Sequence, residues 1–461
     1  MVATSGDVMV WGDNTCMALG ISTRASGRKR PFPVALIDKT APSGLKRLLP
    51  KCKQVVASGV HTVAVTVDGD LYSWGVNDEG QLGRPIPEGD DEAPAVPGLV
   101  SLGGKKSKDD DGDGNKVTSA VATDAATFAL TEGGTVYGTG VFKDDGEVGF
   151  SPENTGRQQT PTPMAGMGMG HAPVAAMAAG NTHLVLLTEA ATTAGSSGGK
   201  GGKAAGTGTT GTKVLTAGAG GQGQLGRVGQ RLSQRTATHT LLAPAPVKMP
   251  RGSGRPVAVF AGGWHTMVIT DTDKVVGWGL NNWGQLGIPV TGGCVYTPVV
   301  IKSLSGIGVT QLACGEHHTL ALKSDGTVLS FGRAAYGRLG RPAGVPLEMG
   351  DAACAEPAAV TFPFSSTATA GGGGNKVLIV SVSAGMKESA AVDDDGVVYC
   401  WGSGSGNMQG RGDDEDDVWA PEAIPEKEAY PYWRPREQKI VAVSMGAQHV
   451  AMIASPGHKA P

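Results

Sequence analysis

Val275-Val-Gly-Trp-Gly-Leu-Asn-Asn-Trp-Gly-Gln-Leu-Gly287, followed by Val309-Thr-Gln-Leu-Ala-Cys-Gly-Glu-His-His-Thr-Leu-Ala-Leu322, holds the two signatures that decide the fold. The first is an apolar run that ends in aromatic-Gly and enters a glycine-rich turn. The second is an apolar run, Gly-x-x-His-Thr, and another apolar run. Short apolar runs punctuated by glycine turns read as β-strands, because glycine reverses the chain where other residues resist.

Outward from this stretch the same pair recurs along the whole chain. The glycine closing the first signature falls at Gly12, Gly75, Gly140, Gly218, Gly279, Gly332 and Gly402. The histidine position of the second is occupied by His61, Ala126, His183, His265, His318, Glu388 and His449. Seven units in 461 residues are roughly 65 residues each. One such sheet cannot bury both its faces alone, but sheets stacked around an axis bury a continuous core and leave only short edges. The expected fold is therefore all-β, a seven-bladed propeller forming a single domain over 1–461.

The chain starts on a turn-bearing strand, Val8-Met-Val-Trp-Gly12, and ends on an inner pair, Ile440-Val-Ala-Val-Ser-Met-Gly-Ala-Gln-His-Val-Ala-Met-Ile453. Both ends are expected to share one blade and fasten the ring, so that loss of either unfolds it cooperatively. The charged stretch at 105–115, the Gly/Ser/Thr/Ala-rich stretch at 190–213 and the glycine run at 367–375 read as flexible insertions between strands.

Composition narrows the function classes. With 73 Gly, 28 Pro and 18% charged residues the chain suits turn-rich β-structure, and a net charge of -3 gives no global drive toward nucleic acid or membrane. Six scattered cysteines without a C-x-x-C pair fit a reducing compartment and no metal site or disulfide framework. Neither a signal segment nor a spanning stretch is evident, so a soluble intracellular protein without membrane contact is expected. Asp109-Asp-Asp-Gly-Asp-Gly-Asn115 begins like a calcium loop but has Ala120 where the bidentate acid belongs. Gly199-Lys200 and Gly202-Lys203 lack the Ser or Thr of a phosphate loop. No catalytic residue, metal or cofactor is expected.

The paired signatures are similar to the repeat of the regulator of chromosome condensation family, and the seven copies cover nearly the whole chain. Several segments resemble the branch of that family that exchanges guanine nucleotide on the small GTPase Ran. These are Val76-Asn-Asp-Glu-Gly-Gln-Leu-Gly-Arg84 with Glu88-Gly-Asp-Asp-Glu92, Phe331-Gly-Arg-Ala-Ala-Tyr-Gly-Arg-Leu-Gly340, and Asp413-Asp-Glu-Asp-Asp-Val-Trp-Ala-Pro421. The third unit departs from the repeat: in place of Gly-Gln-Leu-Gly it reads Gly140-Val-Phe-Lys-Asp-Asp-Gly-Glu-Val-Gly-Phe-Ser-Pro152, similar to the β-wedge of that branch. The likeness continues through His183-Leu184, where other units have His-Thr.

The resemblance implies an exchange factor for a Ran-like GTPase, monomeric, nuclear and chromatin-associated, that performs no bond chemistry. It implies a wedge formed by Phe142, Lys143, Asp144, Asp145, Gly146, Glu147 and Val148. It implies a GTPase-contact face bearing Asp124, Arg227, His318 and His449, with His61 beside them. A repeated histidine also has an architectural reading, as a polar link between blades. Arg231 and Arg235, in the loop Arg227-Val-Gly-Gln-Arg-Leu-Ser-Gln-Arg235, resemble in place a contact to a nucleosome or histone surface. Thr182 and Thr15 stand where acidic residues are expected. The cluster Arg24, Arg28, Lys29 and Arg30 reads as a basic patch or an import signal; without import the protein would be cytoplasmic. The same repeat also serves non-catalytic scaffolds, for example in ciliary assemblies, and that alternative stays open. Trp264 resembles the tryptophan motif of a plant photoreceptor branch but occurs in that motif once, which reads as blade packing.

Overall fold

The computed structural model describes residues 5–21, 23, 25–37, 46–103, 116–144, 146–151, 156–164, 172–192, 209–229, 239–341, 351–363, 377–412, 415–424 and 438–456. The apolar runs form seven four-stranded antiparallel sheets, each built in chain order from the axis outward except the first. That blade takes its two inner strands, Gln438–Met445 and His449–Pro456, from the end of the chain and its two outer strands, Asp7–Asp13 and Gly27–Pro33, from the beginning. The ring is closed by a register running from Asp7 opposite Ala454 to Gly12 opposite His449. Two strands from each terminus thus share one sheet, and neither end can leave without opening the ring.

In every blade the two signatures lie opposite each other on neighbouring strands: His61 faces Gly75, His265 faces Gly279, and His318 faces Gly332. Gly75 shows why the residue is glycine. Its φ is +118°, and a Cβ there would sit 2.6 Å from the His61 Cα, so both backbone conformation and space exclude a side chain.

Burial follows position in the blade. Second strands such as His61–Thr66, His183–Thr188 and His265–Thr270 are buried throughout, because a neighbouring sheet covers each face. Innermost strands such as Val117–Ala122 and Val174–Ala179 bury only their first and fourth residues and leave the others partly open, with one side turned toward the axis. Trp11, Trp74, Trp278 and Trp401 are fully buried. Each donates its indole N–H to a turn carbonyl of the preceding blade: Met408 O at 2.9 Å, Ala18 O at 2.8 Å, Gln224 O at 2.9 Å and Arg338 O at 2.9 Å. The aromatic of the first signature is therefore a clamp across the seam between blades as well as core.

The outermost strands are the least regular, the shortest being Ala245–Pro246 in the fourth blade. Part of the expected insertion at 190–213 forms a two-rung ladder, Ala191 opposite Thr210 and Thr192 opposite Thr209. Residues 193–208 and the other two expected insertions, at 105–115 and 367–375, lie outside the described residues. Among the described residues no helix is long and apolar enough to cross a membrane, and no group of His, Cys, Asp and Glu is arranged to hold a metal.

Candidate protein-binding face

The loops at the Gly-x-x-His position of all seven blades emerge on one face and encircle the mouth of an axial cavity of about 430 Å³. Main-chain hydrogen bonds pass from loop to loop around this mouth: Asp124 N–H to Asn181 O at 3.2 Å, Asn181 N–H to Gly263 O at 3.2 Å, Gly263 N–H to Gly315 O at 3.0 Å, Glu316 N–H to Gly385 O at 3.2 Å, and Ala447 N–H to Ser58 O at 3.2 Å. The loops of blades three to seven are therefore joined in one hydrogen-bonded run and those of blades one and two in another, which suits a rigid contact.

The carboxylates at this mouth are Asp124 and Glu316. Asp124 is exposed and leans over the neighbouring loop, where a Cβ on Gly59 would meet its Oδ1 at 2.4 Å. Although open to water it is crowded by the loops, which raises its carboxyl to about 6, with Glu316 adding repulsion. Burial also raises Glu316, against the opposing pull of Arg338, Arg333 and Lys387.

The histidines named from the sequence do not reach this surface. His61, His318 and His449 are wholly buried, so their imidazoles cannot be direct contacts. Each bonds a hydroxyl of the next blade: His449 Nε2 to Thr62 Oγ1 at 2.6 Å, His61 Nε2 to Thr127 Oγ1 at 2.8 Å, and His318 Nε2 to Ser389 Oγ at 2.8 Å. His183 and His265 do the same with Thr266 at 2.9 Å and Thr319 at 3.0 Å. At four of these seams the hydroxyl donates onward to the carbonyl of the preceding blade's turn, as Thr62 Oγ1 does to Ala18 O at 2.8 Å. Because a hydroxyl has a single proton, it must accept from the imidazole there, which fixes the neutral Nε2–H tautomer. Burial agrees, pushing His61, His183 and His265 down to about 3 and His449 to about 4.

The two drifted positions fit this seam logic. Ala126 stands where blade three would offer an imidazole, and its counterpart in blade four is Leu184 in place of Thr, so both halves of the polar pair are gone together. The hairpin that replaces blade three's turn also leaves no turn carbonyl for a tryptophan of blade four, which has Ala217 at that position. At the remaining seam Glu388 replaces the imidazole and Val450 the hydroxyl. Burial pushes Glu388 up to about 7, partly offset by Arg338 and Lys387. Arg338 stands at the Gln position of its turn and is itself buried, donating to Ala335 O at 2.9 Å and to Met386 O of the next blade at 3.1 Å.

Among the described histidines, His317, beside His318 in the Glu316 loop, is one whose side chain stays partly open to solvent. Its ring lies 5.5 Å from that of Trp264. Sequence reasoning passed over it, although Glu316-His317-His318 offers two imidazoles on opposite sides of a strand end, of which the repeat can bury only one. Arg227 is likewise engaged in structure. Its guanidinium donates to Thr216 Oγ1 and O, Leu241 O and Ala243 O at 3.1 to 3.2 Å, much as Arg84 staples its own turn to Ala93 O and Val96 O.

The third unit's departure forms a hairpin of Phe142–Asp144 and Gly146–Gly149. It follows Gly140, which pairs with Ala126 beside the Asp124 loop, so it leaves the sheet on the same face. Phe142 was expected among the contacts, but it is buried and stacks on Phe128 at 5.4 Å, with Phe150 at 6.4 Å on the same ring. It roots the hairpin. Lys143 is half exposed and ion-paired with Glu79 of blade two. For Asp144, Gly146, Glu147 and Val148 only the backbone is described, and Asp145 lies outside the described residues.

Arg231 and Arg235 also lie outside the described residues, as does Arg24. Arg28, Lys29 and Arg30 form part of the outer strand of blade one, with Arg28 over the Phe32 ring at 4.5 Å. Thr182 is buried, accepting from Gln224 Nε2 at 3.3 Å, whereas Thr15 is exposed.

Comparison with known proteins places this face in context. Residues 7–452 match the family model of the RCC1-like domain. The chain is 31% identical to the regulator of chromosome condensation of Xenopus laevis, over 97% of this chain and 89% of that protein. It is 27% identical to the guanine nucleotide exchange factor SRM1 of Saccharomyces cerevisiae, over 91% of this chain and 82% of that one. In structure it matches Prp20p of Saccharomyces cerevisiae with a TM-score of 0.75 and 25% identity, covering 100% of this chain and 93% of that one; Prp20p is described with binding properties to Gsp1p and histones.

Proposed function

The chain belongs to the RCC1-like domain family, and on that footing we propose that it is a guanine nucleotide exchange factor for a Ran-type small GTPase, acting at chromatin. The observation that carries this reading is the hairpin at 142–149, which leaves the rigid mouth face at the one unit whose turn abandons the repeat.

Exchange of this kind requires no acid, base or nucleophile. A protein that binds the nucleotide-free GTPase more tightly than the nucleotide-bound form lowers nucleotide affinity by the same factor, by linkage. A stiff face with one projecting element suits that task, because the hairpin and the nucleotide compete for the same ground while the rim holds the rest of the GTPase. On this reading the hairpin from Lys143 to Val148 works against the phosphate and magnesium region. Asp124, Glu316 and His317 supply the rim contacts, in place of the buried His61, His318 and His449.

Release of labelled GDP from Ran on adding catalytic amounts of the protein tests the reading. Deleting residues 143 to 148 should abolish release while the ring stays folded and unfolds cooperatively, with only the small loss of stability expected from removing one partner of Glu79. Stoichiometric GTPase binding without release would favour a scaffold instead. For the chromatin part, nucleosome binding that weakens steeply with salt is expected, and no binding at low salt would remove it.

A further inference from the structure

A two-stranded hairpin is marginal by itself in water and owes its direction to whatever grips its base. Here the ladder has three rungs, Phe142 to Gly149, Lys143 to Glu147 and Asp144 to Gly146. The stacked phenylalanines hold it from the core side. A second grip comes from outside blade three. Glu79, in the turn of blade two, is buried with only 8% of its side chain exposed, and its carboxylate bridges two cations. Lys143 Nζ pairs with Oε1, and Arg157 Nε lies 2.7 Å from Oε2. Lys143 is in the hairpin's first strand and Arg157 immediately precedes the outer strand Gln158–Pro163 of the same blade, so one carboxylate ties the first arm of the hairpin to the edge of its blade. Arg157 also donates to Asp78 O at 3.0 Å, and the Thr139 hydroxyl lies between two carbonyls, Gly80 O at 2.7 Å and Gln158 O at 2.8 Å, donating its single proton to one of them. The turn of blade two and the base of the hairpin are thus bonded along their length.

Nothing in the repeat demands an acid at position 79. The corresponding places in the other turns are Cys16, Gln222, Trp283, Tyr336 and Gly406. The acid occurs in the blade that adjoins the hairpin. A carboxylate this buried is stable only while paired, and pairing with two opposed cations fixes its geometry more firmly than one would.

We propose that Glu79 is a positioning residue which, through Lys143 and Arg157, sets the angle of the hairpin and thereby the rate of nucleotide release. This rests on the exchange reading above, and the experiment separates the two. In full-length Glu79→Gln, amide hydrogen exchange over 142–149 should quicken while the rest of the ring keeps its protection. GDP release should slow by roughly tenfold in kcat with KM for the GTPase little changed, since misplacement harms the activated complex more than encounter. Lys143→Met and Arg157→Gln, both at half-exposed side chains, should each reproduce part of the effect, and Lys143→Arg should restore it. Unchanged amide exchange over 142–149 in all three loosening variants overturns the clasp. Loosened amides with unaltered GDP release overturn the positioning role and count against the wedge as well. Should the wild-type chain release no GDP, the exchange reading falls, and with it the role in exchange proposed for Glu79.

Discussion

Replacing His318 and His317 in turn separates architecture from contact at adjacent residues. His318→Ala removes a fully buried imidazole, its hydrogen bond to Ser389 Oγ at 2.8 Å, and the contacts of the ring. Loss of a buried neutral hydrogen bond costs about 1 to 3 kcal/mol, and the space left behind adds to that, for a total of about 2 to 4 kcal/mol. For a ring of 461 residues unfolding as one unit, an entropy of about 2.1 cal/mol/K per residue gives about 1 kcal/mol/K, so the melting temperature should fall by about 2 to 4 °C. GDP release measured well below that temperature should be nearly intact. His317→Ala removes a partly exposed ring beside the mouth carboxylate Glu316, tilted against Trp264; its melting temperature should stay within about 1 °C while GDP release weakens. Denaturant unfolding and GDP release on the same preparations decide the matter. A His318→Ala protein of wild-type stability and lost release would refute the reasoning, because the buried seam would then be doing the work of a contact.

Acidification should destabilise the ring. His61, His183, His265 and His449 have folded values near 3 to 4, below their ordinary value, so the unfolded chain takes up protons first, and by pH 5 each costs about 2 kcal/mol. Glu388, raised to about 7, acts oppositely: it favours the fold as pH falls through 7, so Glu388→Gln should steepen the loss on acidification. Denaturant midpoints at pH 7.5, 6.5 and 5.5 check both, and a ring that gains stability toward pH 5.5 would refute the histidine reading. At the seam between blades three and four, Ala126→His alone buries an imidazole against Leu184 and should destabilise; adding Leu184→Thr should recover part of the loss, with a coupling of about 0.5 to 3 kcal/mol in a double-mutant cycle. Additive losses would mean that the two positions do not answer to each other.

The ring was legible because its two signatures are local. Gly75 opposite His61 is enforced by a positive φ and by the absence of room for a Cβ, constraints that repeat in every unit and leave the same residues behind. The destination of each histidine was not legible, because its partner belongs to the next unit, about one repeat away in sequence. His61 looks like a surface imidazole until Thr127, in the following blade, is seen 2.8 Å from it. Phe142 was misplaced for a similar reason: a phenylalanine in a polar loop reads as exposed until Phe128 and Phe150 are found on either side. Glu79 was unreadable as a hairpin residue, since its partners lie 64 and 78 positions further along.

These long-range pairings also explain why the irregular positions cluster. A unit that exchanges its Gly-Gln-Leu-Gly turn for a hairpin loses the carbonyl onto which the next blade's hydroxyl and indole would fold. A hydroxyl or indole N–H retained there would be buried without an acceptor, at a cost of about 1 to 3 kcal/mol. Leu184 in place of Thr and Ala217 in place of Trp remove both donors, and Ala126 removes the imidazole that would have sought the missing hydroxyl. The volume is refilled by the hairpin's own root: Phe142 packs so closely on Gly218 that a Cβ there would lie 2.9 Å from its ring, inside an apolar cluster with Phe128, Phe150, Leu184 and Leu186. The hairpin and the apolar seam are therefore one structural change seen at several positions. Substitutions that look like drift in units three and four are the conditions under which a projecting element can be built on a ring whose seams are otherwise polar.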